Sequence, residues 1–599
     1  MPYMIHHKDP KNQPGKQISL NSSQKLAVEH VGGPVLVTAG AGSGKTRTLT
    51  QRVVYLIEKH VNPGKILAIT FTNKAADEMR NRILKDLKQK VSTTPLIGTF
   101  HSLGARILRK ESKYLGRTLN YSIYDADDSE DLIKKILKMH ESKKVWLNKP
   151  AVMSKKISQI KDSLTDIDEI EEDFVKDIYQ KYEEALKNHN AFDFDDLIEK
   201  VVRLFRENPS VLKKYQSLWD YVLVDECQDI NLTQYELLKL LAGEHKNLFV
   251  IGDDHQAIYG FRNADFRYFL NFEKDWPGAK IIALGENYRS TANIVNGAAG
   301  VIQNNKLQRP KKLWTENIDG PLIKIIGSYD PDDEAQTIVE EISNYAPVLR
   351  DVAILYRTNA QSRAIEQALN FNSIPYEIFG GVKFYERKEI KDVVSALRYA
   401  SNPKDGVALG RLDKTFTRGI FRELRADLPK MGKNLSLLEL VGYFLKTSDY
   451  FDYLDRKFIN HEERTENIEE LIRFASTFSS LQDFLERVSL LQSTDKIKRT
   501  ENENPVKLMT IHLSKGLEFS SVYIIGASEG ILPHQRSLSE EGGLEEERRL
   551  MYVAMTRARE KLSISFYDVA SRFLYEIPPE LVEFAGPEKL KEDDEIYLI

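Results

Sequence analysis

The chain has 599 residues, more than one hydrophobic core can serve, so several domains are expected. Apolar content of 41% and charged content of 29% are ordinary for a globular protein, and no apolar run reaches membrane-span length. The opening Met1-Pro-Tyr-Met-Ile-His-His7 also lacks a secretory apolar core, so the expectation is a cytoplasmic protein with no membrane partner. A single cysteine, Cys227, excludes an internal disulfide and a cysteine-rich zinc site. A net charge of −4 excludes nucleic-acid binding by bulk charge, so any such contact must be a local groove with stacking platforms.

The first strong element is the apolar run Pro34-Val-Leu-Val-Thr38, followed by Gly40-Ala41-Gly42-Ser43-Gly44-Lys45-Thr46 and a helical stretch. Strand, glycine loop and helix in that order are the context of a phosphate-binding loop. The glycines let backbone N–H groups turn toward a phosphate, and the helix N-terminus adds positive potential. Lys45 would then reach the β- and γ-phosphates of ATP, and the Thr46 hydroxyl would hold Mg²⁺.

Further β-branched runs follow at 66–70, 221–224, 248–251, 280–283, 322–326, 352–356, 522–525 and 562–566, most of them leading through turn residues into helical stretches. Alternating strands and helices predict an α/β fold with parallel sheets covered on both faces. The runs form two sets, giving one core from 1–105 and 193–283 and a second from 284–386 and 505–599. The intervals 106–192 and 387–504 are rich in Lys, Glu, Leu and Tyr at helical spacing and read as helical insertions, with few strand signals. The acidic end at residues 592–595 reads as a solvated tail.

The run Tyr221-Val-Leu-Val ends in Asp225-Glu226. Two exposed carboxylates at a strand end would be unremarkable alone. On a parallel sheet, however, this end faces the same crevice as the phosphate loop. Asp225 would help hold Mg²⁺ and Glu226 would deprotonate the attacking water.

From Asp225-Glu226-Cys227-Gln228-Asp229 onward the chain resembles the superfamily 1 helicases of the UvrD/Rep/PcrA type, and matches to their motifs run in order along nearly its whole length. They include Gln24, Ile69-Thr-Phe71-Thr72-Asn73, Thr99-Phe100-His101, Phe192-Asp-Phe194, Gln256-Ala-Ile-Tyr259-Gly-Phe261-Arg262, Asn287-Tyr288-Arg289, Arg357-Thr-Asn359, Lys515-Gly-Leu-Glu518 and Tyr552-Val-Ala-Met-Thr-Arg557. The resemblance implies two RecA-like parallel-sheet motor domains, each with a mainly helical insertion, forming an ATP-dependent helicase that moves 3′ to 5′ on single-stranded DNA. Arg289 and Arg557 would be arginine fingers on the γ-phosphate, with Gln256 its sensor. Adenine would lie between Tyr288 and Arg47, with Gln24 on its edge and Glu518 near the ribose.

The resemblance also places single-stranded DNA, or its junction with duplex, along Phe71, Phe100, Phe194, Tyr259 and Phe261. Beside them stand Thr72, Asn73, His101, Arg262, Arg357, Asn359 and His534. Aromatic faces accept any base, as a motor that ignores sequence requires. Phe194 alone has core packing as its ordinary fate. Repair or replication proteins are partners that such a role would bring.

Four features depart from the family pattern. The second insertion is short, Arg418-Gly419-Ile420-Phe421 stands where a duplex-gripping Gly-Ile-Gly turn is usual, and the stretch after Arg557 is abbreviated. Cys227 and Ile230 replace an aromatic and a threonine in the motif around Asp225. Cys227 and Ile230 remove no required group, but the reduced second insertion gives weight to a translocase that strips proteins from single strands and unwinds little. A helicase–nuclease subunit would need more chain after Arg557, a binding module without catalysis would not keep the whole catalytic set, and a small-molecule kinase would not need the aromatic row.

Overall fold

The computed structural model describes residues 20–87, 93–139, 149–345, 348–494 and 504–586; the chain's opening residues and its acidic end lie outside them. In chain order the strands of the first half are β1 (Val35–Ala39), β2 (Ile66–Thr70), β3 (Leu96–Thr99), β4 (Ser122–Tyr124), β5 (Ala191–Asp193), β6 (Tyr221–Val224), β7 (Leu248–Gly252) and β8 (Lys280–Leu284). The second half holds β9 (Ile323–Ser328), β10 (Val352–Tyr356), β11 (Tyr376–Ile378), β12 (Val506–Thr510), β13 (Phe519–Ile524), β14 (Ala558–Tyr567) and β15 (Val582–Ala585).

Two all-parallel sheets organise the chain. The first runs β3-β2-β6-β7-β1-β8 and the second β11-β12-β10-β13-β14-β9-β15. Strands β1, β2, β7 and β10 are buried at every residue, which is why they read as unbroken apolar runs. Alternate side chains supply opposite faces. Leu36 joins Leu103, Val201 and Leu238 on one side of the first sheet, while Val35 and Val37 join Ala27, Leu49 and Met79 on the other. In the second sheet Ala353 and Leu355 face Val301, Met551 and Leu550, and Ile354 faces Ile338 and Ile365.

Because every neighbour pair is parallel, β1, β6, β7 and β8 present their C-terminal ends along one edge. The loops leaving them carry Gly40–Thr46, Asp225-Glu226, Asp253–Gln256 and Asn287–Arg289. Four separate stretches of sequence therefore meet at one crevice.

The stretch between β3 and β6 is mainly helical, with one short strand pair. Helix Phe100–Glu111 packs into the first core through Leu103, Ile107 and Leu108. Helices Ala126–Met139, Pro150–Asp162 and Asp173–Asn188 form their own apolar cluster, and the parallel pair β4–β5 lies at their base. Lys161 anchors this unit. Its fully enclosed ammonium lies 2.6 Å from Asp193, 2.7 Å from Asp196 and 2.8 Å from Glu183, which offsets the cost of burying it. Between Lys388 and Thr494 seven helices surround a separate cluster that includes Leu397, Leu428, Phe444 and Leu471.

Helix Phe100–Glu111 meets helix Asp196–Glu207 at Gly104, where a Cβ would stand 1.8 Å from the Leu197 carbonyl oxygen. Gly104→Ala should therefore destabilise the protein by ~1–3 kcal/mol through overpacking, read as a lower midpoint in urea unfolding. An unchanged midpoint would mean that these helices part without cost.

Candidate functional site

The glycine loop is held from several sides. Gly42 (φ 69°) and Gly44 (φ 81°) occupy the left-handed region, and Gly44 caps helix Lys45–Glu58. The Ser43 hydroxyl donates to the Gly40 carbonyl at 2.8 Å, and Gln24 Nε2 donates to the Ser43 carbonyl at 2.9 Å. From beyond β8, Asn287 Nδ2 donates to the Ala41 carbonyl at 2.8 Å and the Tyr288 N–H to the Gly42 carbonyl at 3.0 Å. From the second core, the buried Tyr552 hydroxyl accepts the Ala41 N–H at 3.3 Å.

Behind the loop, Lys45 Nζ lies 3.9 Å from Glu226 Oε1, and the Thr46 hydroxyl donates to Asp225 Oδ2 at 3.4 Å. Burial and the neighbouring Glu226 push the Asp225 carboxyl up to about 7, against the pull of Lys45. Burial also acts to raise Glu226, but the Lys45 and Lys515 ammoniums outweigh it and leave that carboxyl below its ordinary value. Glu226 has left-handed backbone (φ 51°, ψ 44°), which costs a non-glycine residue ~1–2 kcal/mol. That turn brings its side chain back under the loop, where Gln228 Nε2 donates to it at 2.7 Å.

Both candidate fingers enter this crevice. The Arg289 Cβ lies 2.9 Å from where a Cβ on Gly42 would stand, and its guanidinium reaches Glu518 Oε2 at 2.9 Å and the Thr556 carbonyl at 3.0 Å. Arg557 is fully buried and donates to the carbonyls of Val553 (2.9 Å) and Leu517 (3.2 Å). Its Nη2 also reaches Gln256 Oε1 at 3.3 Å across the cleft. Burial and Arg289 push Arg557 down to about 9, so it stays cationic at neutral pH.

At the rim, Tyr288 is 44% exposed. Its hydroxyl donates to Glu286 at 2.7 Å and accepts from Asn21 at 2.8 Å, leaving a ring face open beside Arg47, whose charge acts on the phenol.

On the far side of Gln256 the aromatic residues form a row. Phe71 and Tyr259 stack at 5.3 Å and 10°, Phe261 meets Tyr259 edge-on at 6.0 Å, and His512 meets Phe261 at 5.5 Å. Arg262 lies over both Tyr259 and Phe261. Phe261 is 61% exposed, as its polar, glycine-led context implies. Phe194 is also exposed, against the ordinary fate of a phenylalanine, and stacks on His101 at 4.0 Å. Thr72 and Asn73 are exposed where helix Asn73–Asp86 begins, and the Thr72 hydroxyl caps it.

One expectation fails. Phe100 is only 4% exposed and packs in the first core, because it opens an amphipathic helix with its apolar face inward; its ring is no platform. Arg357 is gripped by the buried Glu547 through Nε at 3.1 Å and Nη2 at 2.8 Å. Asn359 bonds Glu463, and the His534 ring lies 3.4 Å from Glu466, which puts both beside helix His461–Ala475.

The model of the UvrD/REP helicase N-terminal domain matches residues 20–277, and that of the UvrD-like helicase C-terminal domain matches 282–463 and 445–568. The ATP-dependent DNA helicase PcrA of Staphylococcus epidermidis is 39% identical over 94% of this chain and 87% of its own length. That of Bacillus subtilis is 38% identical over 95% and 87%. The chain belongs to the UvrD/REP helicase family.

The crevice fits the nucleotide and ion that this family of ATP-dependent enzymes uses. Among the described residues no group of three or more His, Cys, Asp or Glu side chains is arranged to hold a metal ion. The donors present are one hydroxyl (Thr46) and one carboxylate (Asp225), a set suited to Mg²⁺, which keeps waters and phosphate oxygens as its other ligands. Several residues of the crevice carry no role in the sequence reading. Lys515 bonds Asp229 Oδ2 at 2.5 Å and the Gln256 carbonyl at 2.6 Å while lying 4.8 Å over the Tyr259 ring. Its place in the Leu513-Ser-Lys515-Gly516 turn was the available signal. Asn287 and Tyr552 stand within the motif matches around Arg289 and Arg557, whereas Asn21 and Lys311 gave no comparable signal.

Gly42→Ala would put a methyl 2.8 Å from Asn287 Nδ2 and 2.9 Å from the Arg289 Cβ on backbone unsuited to it. The variant should lose affinity for a fluorescent ATP analogue by more than about tenfold, roughly 1.4 kcal/mol, with its helix content unchanged. Undiminished affinity would show that the loop need not close against residues 287–289.

Proposed function

We propose that this ATP-dependent DNA helicase moves 3′ to 5′ along single-stranded DNA, closing its two cores on ATP and releasing them after hydrolysis, and that it serves DNA repair or replication restart in the cytoplasm. The observation that carries the reading is the contact of Arg557, on the second core, with Gln256, on the first, at the point where Lys515 joins the crevice to the aromatic row.

In this reading Lys45 and the N–H groups of residues 41–46 hold the phosphates, and Thr46 and Asp225 hold Mg²⁺, which neutralises charge on the transferred phosphoryl group. Glu226, kept ionised by Lys45 and Lys515, takes a proton from the attacking water. Arg289 and Arg557 face the γ-phosphate only when the cleft is closed, and a finger of this kind contributes ~10³–10⁵ in rate. Tyr288 and Arg47 sandwich adenine, with Gln24 at its edge and Glu518 by the ribose. Gln256 reports the γ-phosphate through Tyr259 and Lys515 to Phe71, Phe261 and Arg262, where each stacked base contributes ~1–3 kcal/mol without regard to sequence. Thr72, Asn73, His101 and Phe194 extend the track on the first core, and Arg357 on the second. Asn359 and His534 join it only if helix His461–Ala475 moves aside.

One observation favours the protein-stripping translocase as a second reading. Residues Arg418-Gly-Ile-Phe421 form the exposed first turn of helix Arg418–Asn434, and Phe421 stands there in place of the second glycine of a Gly-Ile-Gly turn.

Glu226→Gln should bind ATP normally and lose turnover by a factor of roughly 10² or more, measured by phosphate release; normal turnover removes Glu226 as the base. Phe261→Ala should keep its basal ATPase and slow translocation along single strands, and an unaltered translocation rate would remove that ring from the track. Strand displacement on duplexes with a 3′ tail, a 5′ tail or none should proceed only from the 3′ tail. Displacement from the 5′ tail would reverse the polarity, and none from any substrate would favour the stripping translocase.

A further inference from the structure

Lys311 is distant in sequence from every motif, yet its side chain is wholly enclosed in the crevice. Its Nζ lies 2.6 Å from Asp253 Oδ1 and 2.6 Å from Asp254 Oδ1. Residues 305–315 bring it there as a strap across the cleft. Along that strap the Arg309 N–H donates to Asp254 Oδ2 at 2.7 Å, Leu313 lies over Gly40, and the Trp314 carbonyl accepts the Asn287 N–H at 2.7 Å. An ammonium in such a place is costly unless it answers buried charge, and here it answers two carboxylates at once.

Asp253 passes the effect on. With Oδ1 taken by Lys311 and the His255 N–H (3.2 Å), its other oxygen accepts Gln256 Nε2 at 2.7 Å. An ionised carboxylate can only accept, so it binds the NH₂ end of the Gln256 amide. The amide oxygen is thereby aimed at Arg557, 3.3 Å away, and into the crevice. Were Asp253 neutral or displaced, the amide could turn over and present hydrogens where the reaction needs an acceptor.

We infer that Lys311 is a positioning residue for ATP hydrolysis, holding Asp253 so that the Gln256 amide oxygen faces the attacking water and Arg557. The inference rests on the proposed role of Gln256 and adds to it a residue that touches neither nucleotide nor DNA.

The test is a double-mutant cycle on single-strand-stimulated ATPase with Lys311→Met and Gln256→Ala. Lys311→Met should lower kcat by roughly 10–100-fold with the KM for ATP changed less than about threefold, as expected for an interaction realised in the transition state. In the Gln256→Ala background it should cost little more. Lys311→Arg, which keeps the charge, should recover part of the loss. If Lys311→Met does not fold, Asp253→Asn removes the carboxylate that Lys311 holds with no change in size and should show the same non-additivity with Gln256→Ala. A Lys311→Met loss that multiplies in full onto the Gln256→Ala loss overturns the inference and leaves Gln256 in the reaction. Normal kcat in Gln256→Ala alone removes Gln256 from the reaction and overturns both readings.

Discussion

Charges that would be costly singly are gathered in the cleft between the two sheets, and the lysines are each answered by a carboxylate from another part of the chain. Lys45 stands against Glu226, Lys311 against Asp253 and Asp254, and Lys515 against Asp229. Arg557 is the exception. It has backbone carbonyls, the Thr556 hydroxyl and one amide oxygen, with no carboxylate bonded to it, and Arg289 close by. With Arg289 answered only by the half-exposed Glu518 and Arg557 by no bonded carboxylate, the crevice holds more positive charge than its anions match, a place suited to a polyphosphate because excluded water strengthens the attraction. In the proposed cycle, loss of the γ-phosphate leaves those cations repelling each other and the cores free to part.

In the proposed function the same stretch also serves the strand. Gln256, Tyr259 and Phe261 lie within six residues of one another, so a shift at the crevice reaches the stacking row through one short turn. Lys515 bonds that turn from the other core and covers the Tyr259 ring. In the proposed cycle no long relay is needed, because the residue proposed as γ-phosphate sensor and the rings proposed as base platform share a loop.

Much of this was legible in the sequence. The central strands are buried on both faces and announce themselves as β-branched runs, and the residues that end them are the chemical ones. Most strands that escaped are short or lie at sheet margins, while the interior β12 escaped because Lys507 and Thr510 interrupt its apolar run. β3 carries a glycine and is half-exposed, β11 has three residues, and β15 lies at the sheet edge, so their burial pattern is weak. Phe100 and Phe194 show the limit of residue type. Both are phenylalanines near helix starts, yet helix phase turns one into the core and leaves the other against His101. The roles of Asn287, Lys311 and Tyr552 were illegible for another reason. They come from partners 58 to 511 residues away in sequence, which only the folded chain brings together. Cys227 and Ile230, the two departures beside Asp225, are both buried in the first core and contribute packing there.

The central claim is that ATP draws the two cores together through Arg557. Cys227 is buried and inert to labelling, so cysteines placed at the exposed positions Glu58 on the first core and Asn372 on the second can carry a fluorophore pair. Energy transfer between them should rise and narrow in distribution when a non-hydrolysable ATP analogue binds, and Arg557→Ala should abolish most of that change while the analogue still binds. A transfer efficiency indifferent to the analogue, or a full response without Arg557, would contradict the account.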